Sequence, residues 1–270
     1  FIQVATNLSN GEVWVATTCK ALKYIPETKS WEEYDGTDGL PSNQIYYIYL
    51  EDPGFVWFGT YTSGIARLNL DTNVWSYWSE DQGLPAASVG FIFRDHQDNT
   101  WSCAQQILHK YNPLLDIWEA TSVRCEHDSY VIDKTGTLWI GSNIGVTKLD
   151  PITGITETLT VADGLLDNRV YAMAMDQDDR FWFGTYSKGI NIYNSTNGAW
   201  QYLITQDNQP GSFYAWFLSI DNDGVVWTPN HHETQSPNGL LRHDPAAGTW
   251  QILTTADGLA GNGISAILQD

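Results

Sequence analysis

The chain has 270 residues, 42% of them apolar, and carries 13 Lys and Arg against 32 Asp and Glu, a formal charge of −19. So acidic a balance argues against nucleic acid and anionic membrane surfaces as partners, and serves solubility first, with cationic ligands or Ca²⁺ as the minor reading. No run approaches the roughly 18 apolar residues of a spanning helix, so no membrane insertion is expected. With neither a starting Met nor a signal-peptide pattern at its head, the chain reads as a mature or excised piece.

In chain order one pattern recurs six times, a Trp flanked by apolar or small residues: Val13-Trp14-Val15, Val56-Trp57-Phe58, Thr100-Trp101-Ser102, Leu138-Trp139-Ile140, Phe181-Trp182-Phe183 and Val226-Trp227-Thr228. The steps between the tryptophans are 43, 44, 38, 43 and 45 residues. Short strands at such a period mark a β-propeller, one repeat per blade. A second Trp follows at Trp31, Trp75, Trp118 and Trp200, and is displaced to Trp250 in the sixth repeat. Indole at two fixed positions reads as regular packing between blades. The expected fold is all-β, one propeller domain over 1–270, with repeats at 1–36, 37–80, 81–121, 122–161, 162–205 and 206–256. An extra inner strand is expected at 264–270, because Ile264–Asp270 matches Val170–Asp176. Six blades are favoured over a fragment of a seven-bladed ring.

The second repeat shows the elements. Strands are expected at Ile45–Leu50, Phe55–Thr60, Ile65–Leu70 and Val74–Trp78, joined by turns at 51–54, 61–64 and 71–73. This is a four-stranded antiparallel meander, with almost no helix anywhere in the chain. The first turn recurs as Asn10-Gly11, Asp98-Asn99, Asp133 to Gly136, Asp176 to Asp179 and Asp221 to Gly224. Asp and Asn hydrogen-bond their own backbone two residues on, a sufficient reason for these residues without a metal. Between repeats runs Asp38-Gly39-Leu40-Pro41-Ser42-Asn43, with counterparts at Gln82–Pro85, Asp163–Asn168 and Asp257–Asn262. Here Leu is expected to plug between blades, Gly to make the turn and Asn to cap the loop. The crossings near Cys125 and Pro210 lack this pattern.

The full pattern is the linker, an aliphatic inner strand, Asp-x-x-Gly-x-x-Trp-x-Gly-Thr, then Gly-Ile/Leu-x-Arg/Lys and an outer Trp-x-x-Tyr. It resembles the two-component regulator propeller repeat, most closely over Asp38–Trp75 and Asp163–Trp200, with Asp133–Asp150 next. The resemblance implies a sensor propeller of bacterial two-component proteins, periplasmic or extracellular, often concerned with polysaccharide use. No kinase, receiver or DNA-binding segment accompanies it in this sequence.

Candidate function resides in the loops after the Trp strands, which a propeller gathers at the mouth of its channel. Tyr61, Gln105, Asn143 and Tyr186, with Asn230, His231, His232 and Glu233 from the longest departure of the sixth repeat, suit a neutral sugar or other small polar ligand by stacking and hydrogen bonding. Tyr61 and Tyr186 also read more simply as cover for loop backbone. His231 and His232, adjacent on a strand, point to opposite faces and do not easily share a metal. No phosphate loop and no Gly-x-Ser-x-Gly is present, and the carboxylate pairs fall in turns. No catalytic residue, metal or cofactor is implied. The leading expectation is a non-catalytic ligand-binding or sensor propeller outside the cytoplasm. A structural or protein-interaction module is the alternative, and a metal-assisted lyase the second. Cys19, Cys103 and Cys125 permit at most one disulfide, Cys103–Cys125 between neighbouring repeats, and three unpaired thiols are the favoured state.

Overall fold

The computed structural model describes residues 2–7 (as backbone), 11–17, 20–41, 44–51, 54–85, 88–126, 129–203, 215, 217–230, 239–264 and 267. They form two compact units, 1–123 and 124–270.

The first unit holds three four-stranded antiparallel sheets, each a meander in chain order. They are β1 (Ile2–Asn7), β2 (Val13–Thr17), β3 (Ala21–Ile25) and β4 (Ser30–Tyr34); β5 (Ile45–Glu51), β6 (Phe55–Thr60), β7 (Ile65–Asn69) and β8 (Val74–Trp78); and β9 (Val89–Arg94), β10 (Thr100–Ala104), β11 (Ile107–Asn112) and β12 (Ile117–Arg124), whose last residue lies past the boundary. The second unit repeats the plan: β13 (Tyr130–Ile132), β14 (Leu138–Ser142), β15 (Gly145–Leu149) and β16 (Thr156–Leu159); β17 (Val170–Met175), β18 (Arg180–Thr185), β19 (Ile190–Asn194) and β20 (Ala199–Leu203); and β21 (Ser219–Ile220), β22 (Val226–Asn230), β23 (Gly239–Asp244) and β24 (Thr249–Leu253). The only helix among the described residues is in three single 3₁₀ turns, Glu80–Gln82, Val161–Asp163 and Thr255–Asp257. Among them, no helix is long and apolar enough to cross a membrane.

The repeated Trp takes one place in every blade, the second strand, paired across to the third: Trp14 with Lys23, Trp57 with Arg67, Trp101 with Lys110, Trp139 with Lys148, Trp182 with Ile192 and Trp227 with Arg242. Five of the six are buried, and Trp227 is half-buried. In five blades the residue opposite is a cation lying over the indole face, at 6.0, 4.9, 5.2, 4.8 and 5.7 Å from the ring centre in the first, second, third, fourth and sixth blades. The scarce basic residues of this acidic chain are thus spent on tryptophans, where each cation meets the negative face of a ring. Only the fifth blade has an aliphatic partner, Ile192, and there Arg180 bonds Asp176 instead.

The recurrent turn Asp explains itself in the same geometry. Asp95, Asp133, Asp176 and Asp221 each accept backbone N–H groups two and four residues on through Oδ1. Their Oδ2 accepts the indole N–H six residues on, at 2.8, 2.9, 2.8 and 2.8 Å. In the second blade Glu51 takes that place, 2.6 Å from Trp57 Nε1, while its other oxygen receives Arg94 at 2.9 Å. The carboxylates of these turns are consumed by the fold.

The linker also behaves as its residues require. Leu40, Leu84 and Leu165 are 1–2% exposed and belong to core clusters that include Trp75, Trp118 and Trp200 respectively. Gly39, Gly83, Gly164 and Gly258 all have positive φ, from 86° to 113°, which a Cβ would resist. The residue before each Gly reaches back three positions to a backbone N–H: Asp38 to Asp35, Gln82 to Ser79, Asp163 to Thr160 and Asp257 to Thr254.

Two expectations are corrected. Cys103 and Cys125 are both disulfide-bonded rather than free; three cysteines allow one bridge, so they bond each other. Their burial, at 6% and 0% exposure, keeps both sulfurs away from solvent. Trp31 does not pack like its counterparts: it is 53% exposed, with Tyr24 as its ring neighbour at 5.1 Å. Cys19 lies outside the described residues.

Candidate functional site

The loop after the Trp strand is built alike in the second, fourth and fifth blades. Thr60, Ser142 and Thr185 each turn the hydroxyl onto the carbonyl of a glycine, Gly64, Gly145 and Gly189, closing a tight loop. In the second and fifth blades the next residue is Tyr, and its N–H donates to the residue just before the inner strand: Tyr61 to Gln44, at 3.0 Å, and Tyr186 to Arg169, at 2.9 Å. That bond ties the loop to the start of β5 or β17. There the ladder with the second strand is irregular between Ile45 and Tyr47, and between Val170 and Ala172. Tyr46 and Tyr171 occupy the bulge, and a bulge re-aims its side chain. Each of these blades therefore sets a bulge Tyr and a loop Tyr at the same end.

The second unit surrounds its pair with charge. The rings of Tyr171 and Tyr186 lie 5.5 Å apart. The Arg169 guanidinium stands 4.0 Å from the centre of the Tyr186 ring and forks onto Asp167, Nε to Oδ1 at 3.2 Å and Nη2 to Oδ2 at 3.0 Å. Ser187 donates to the same Asp167 oxygen at 2.8 Å. Burial pushes the Asp167 carboxyl up, but the bonds from Arg169 and Ser187 outweigh it and hold it below the usual range. From the neighbouring blade comes Glu126, which accepts the Asn143 backbone N–H and whose field is felt by the Tyr171 phenol. Burial raises the Glu126 carboxyl, against the pull of Arg124 and Asn143. Its Oε1 is buried without a hydrogen-bond partner among the described residues. Burial likewise raises Tyr171.

Of the residues expected from sequence, Tyr186 pairs with Tyr171, and Asn143 donates its backbone N–H to Glu126, whose charge acts on the Tyr171 phenol. Tyr61 lies in the first unit, 54% exposed, at the same end of its blade as the bulge Tyr46. Gln105 sits with Gln106 in a two-residue turn between β10 and β11, both at positive φ (49° and 63°). Such a turn prefers Asn or Gly. Asn230 ends β22, paired with Gly239; its side chain, with His231, His232 and Glu233, lies outside the described residues. Sequence reasoning missed Glu126, Arg169 and Tyr171. The signal for Tyr171 was legible, since the alternation of the inner strand breaks at its second residue. Nothing local marked Glu126, which lies in the crossing that lacks the linker pattern.

The two-component regulator propeller family matches residues 39–62 and 164–187. Two blades of the chain are thus similar to that repeat. The matched stretches run from the linker glycine to the residue after the loop Tyr in the two blades that share the tyrosine pair. Among solved structures the propeller is similar to the extracellular domain of the hybrid two component system BT3049 of B. thetaiotaomicron, at 17% identity and a TM-score of 0.67, covering 84% of this chain and 32% of that one. It is similar also to that of the one component system BT4673 of the same organism, at 19% identity and a TM-score of 0.68, with coverage of 84% and 32%. PorZ, a surface component of the type-IX secretion system of Porphyromonas gingivalis, is 17% identical with a TM-score of 0.68, covering 95% of this chain and 42% of PorZ. These likenesses give the propeller fold, and the chain spans about a third of the length of the first two. No curated protein matches the sequence.

Proposed function

We propose that this chain is a non-catalytic recognition propeller working outside the cytoplasm, in the periplasm or beyond the cell, and that it takes a small polar ligand, with carbohydrate the favoured class. The observation that carries this reading is the Tyr171–Tyr186 ring pair with the Arg169 guanidinium against it, in the field of Glu126. Tyrosine faces stack on the C–H faces of a sugar, and Glu126 Oε1 is an acceptor awaiting a donor such as a hydroxyl. Charge in the cluster cancels, Arg169 against Asp167 and Arg124 against Glu126, which favours a neutral ligand. The Cys103–Cys125 disulfide supports an oxidising compartment, since such bonds persist there and are rare in the cytosol.

The lyase alternative gains no support: among the described residues no group of three His, Cys, Asp or Glu converges to hold a metal. His109 and His243 are buried, each with Nδ1 against a backbone carbonyl of its own blade. A thermal-shift screen against neutral oligosaccharides, uronic-acid oligosaccharides and divalent cations tests the proposal. A rise in melting temperature with a neutral oligosaccharide supports it. A rise with a divalent cation alone overturns it in favour of a metal site, and no response to any probe favours an interaction module.

A further inference from the structure

The second and third blades meet closely at one end of the first unit. A methyl group on Gly59 would lie 3.0 Å from Val89 Cγ1 and 3.1 Å from the Val89 carbonyl oxygen. Tyr61 lies two residues beyond Gly59, while Val89 pairs with Ala104, which Gln105 follows. The Tyr61 loop and the Gln105-Gln106 turn therefore flank the same contact.

At that end the third blade is cut back. Its ladder between first and second strands is irregular at Ser102 and Ala104, matching the irregular place in the second and fifth blades. The bulge position, however, holds Gly90 where those blades carry Tyr46 and Tyr171. Its second and third strands are joined by residues 105–106 alone, against 61–64 and 186–189, so it has no loop Tyr. Tyr46 and Tyr61 are 45% and 54% exposed, whereas Tyr171 and Tyr186 are half-buried. The face is also uncharged: residues 44–46, 61–64, 88–90 and 105–106 include no Asp, Glu, Lys or Arg in a chain of charge −19. In the fifth blade the counterparts of Gln44 and Ser63 are Arg169 and Lys188. Gln105 and Gln106 hold positive φ in a turn that Asn-Gly would relieve. Strain kept at an exposed turn points to a use for the side chains it presents.

We infer that Tyr46, Tyr61 and the Gln105 turn form a docking face for an extended, uncharged peptide segment of a protein partner. Protein contacts favour tyrosine and exclude charge at their centres. The Gln105 amide offers donor and acceptor together, the complement of a peptide C=O and N–H. A small molecule needs a concave site that buries most of it; rings as open as Tyr46 and Tyr61 suit a partner that brings the opposing wall. An ionic segment would lose hydration here and gain no counter-charge. The face lies in the first unit and does not rest on the ligand site of the second.

The test probes the 270-residue chain with an array of peptides about nine residues long, enough for an extended strand, in three sets: uncharged with aliphatic side chains, acidic, and basic. Binding is expected from the uncharged set. Affinity should fall about tenfold or more in Tyr46→Ala with Tyr61→Ala, and hold in Tyr171→Ala with Tyr186→Ala. Gln105→Asn with Gln106→Gly is expected to raise the melting temperature by about 2–4 °C and yet weaken the peptide about tenfold. Stabilisation with affinity kept makes the glutamines turn residues only and overturns the inference. Binding confined to the acidic or basic sets, or absent from all three, overturns it as well. So does a dimer in light scattering that Tyr61→Ala dissociates, because the occupant is then a second copy.

Discussion

The Trp182 indole donates to Asp176 Oδ2 at 2.8 Å, across six residues and one turn, and the same bond recurs at Trp101, Trp139 and Trp227. One carboxylate thus closes the hairpin through Oδ1 and fixes the core indole through Oδ2. Replacing Trp182 by Phe keeps most of the buried ring but removes one of the two donors to Asp176 Oδ2, leaving Arg180 Nε, at the cost of a hydrogen bond to a charged group, about 1–3 kcal/mol. Trp182→Ala costs about 3–5 kcal/mol, because it also leaves a cavity. Urea denaturation of both variants and of Asp176→Ala, arranged as a cycle, checks the pairing. Additive effects of Trp182→Phe and Asp176→Ala would show that the bond carries no coupling.

Acid sensitivity follows from the same turns. Burial pushes the Asp133 and Asp221 carboxyls up, but bonds from Thr135 and Trp139 in the one, and from Trp227 and the turn backbone in the other, outweigh it and hold both below their usual range. A folded-state value below the unfolded one of about 3.9 gives stability that is complete above that pH and is lost as pH falls through the folded values. Melting temperature should therefore be flat near neutrality and fall below about pH 4. Asp133→Asn and Asp221→Asn should start lower and show a shallower acid limb. An unchanged limb in both variants would remove these carboxylates from the acid transition.

The disulfide gives an independent handle. Reduction, or Cys103→Ala with Cys125→Ala, should lower unfolding stability by about 2–5 kcal/mol, as for other native bridges. The denaturant midpoint with and without dithiothreitol reads this directly, and an identical midpoint would show that the bridge contributes nothing.

Much of this was legible in the residues. The Trp period set the blades, and the strands of the second repeat match prediction to within a residue. Leu40, Leu84 and Leu165 plug the core as their repeated word implies. What escaped were relations that periodicity does not carry. Asp at the first turn was explained by turn chemistry alone, which hid its bond to the indole six residues on. The cations opposite the tryptophans were not singled out, because pairing across strands depends on register. Trp31 shares the repeat position but not the burial, since burial depends on what the next element supplies. Glu126 joins the tyrosine cluster only through the fold, from a crossing that departs from the repeat.

Electrostatics yields a simple negative test. With a formal charge of −19, the chain should not retard duplex DNA or RNA in a gel shift at low micromolar protein. Retardation that weakens with salt would contradict this. The basic side chains lying over indoles in five blades are already engaged, which leaves fewer to meet phosphates.

The ligand prediction turns on which tyrosine pair is used. Tyr46 and Tyr61 share the backbone geometry of Tyr171 and Tyr186, but among the described residues only the latter pair has Arg169 against a ring and feels the charge of Glu126. Tyr171→Ala with Tyr186→Ala should weaken binding of a neutral oligosaccharide found in the screen at least about tenfold, the equivalent of about 1.4 kcal/mol. The melting temperature should stay within a few degrees, because neither ring is in the core. Glu126→Gln retains an acceptor and should cost less than Glu126→Ala, which removes it. Tyr46→Ala with Tyr61→Ala serves as the matched control and should leave affinity unchanged. Calorimetric titration of the four variants decides the matter: loss in the control pair and none in the Tyr171–Tyr186 pair would move the site to the first unit. Equal loss in both would show that the tyrosines act in common, without the contribution assigned to Glu126 and Arg169.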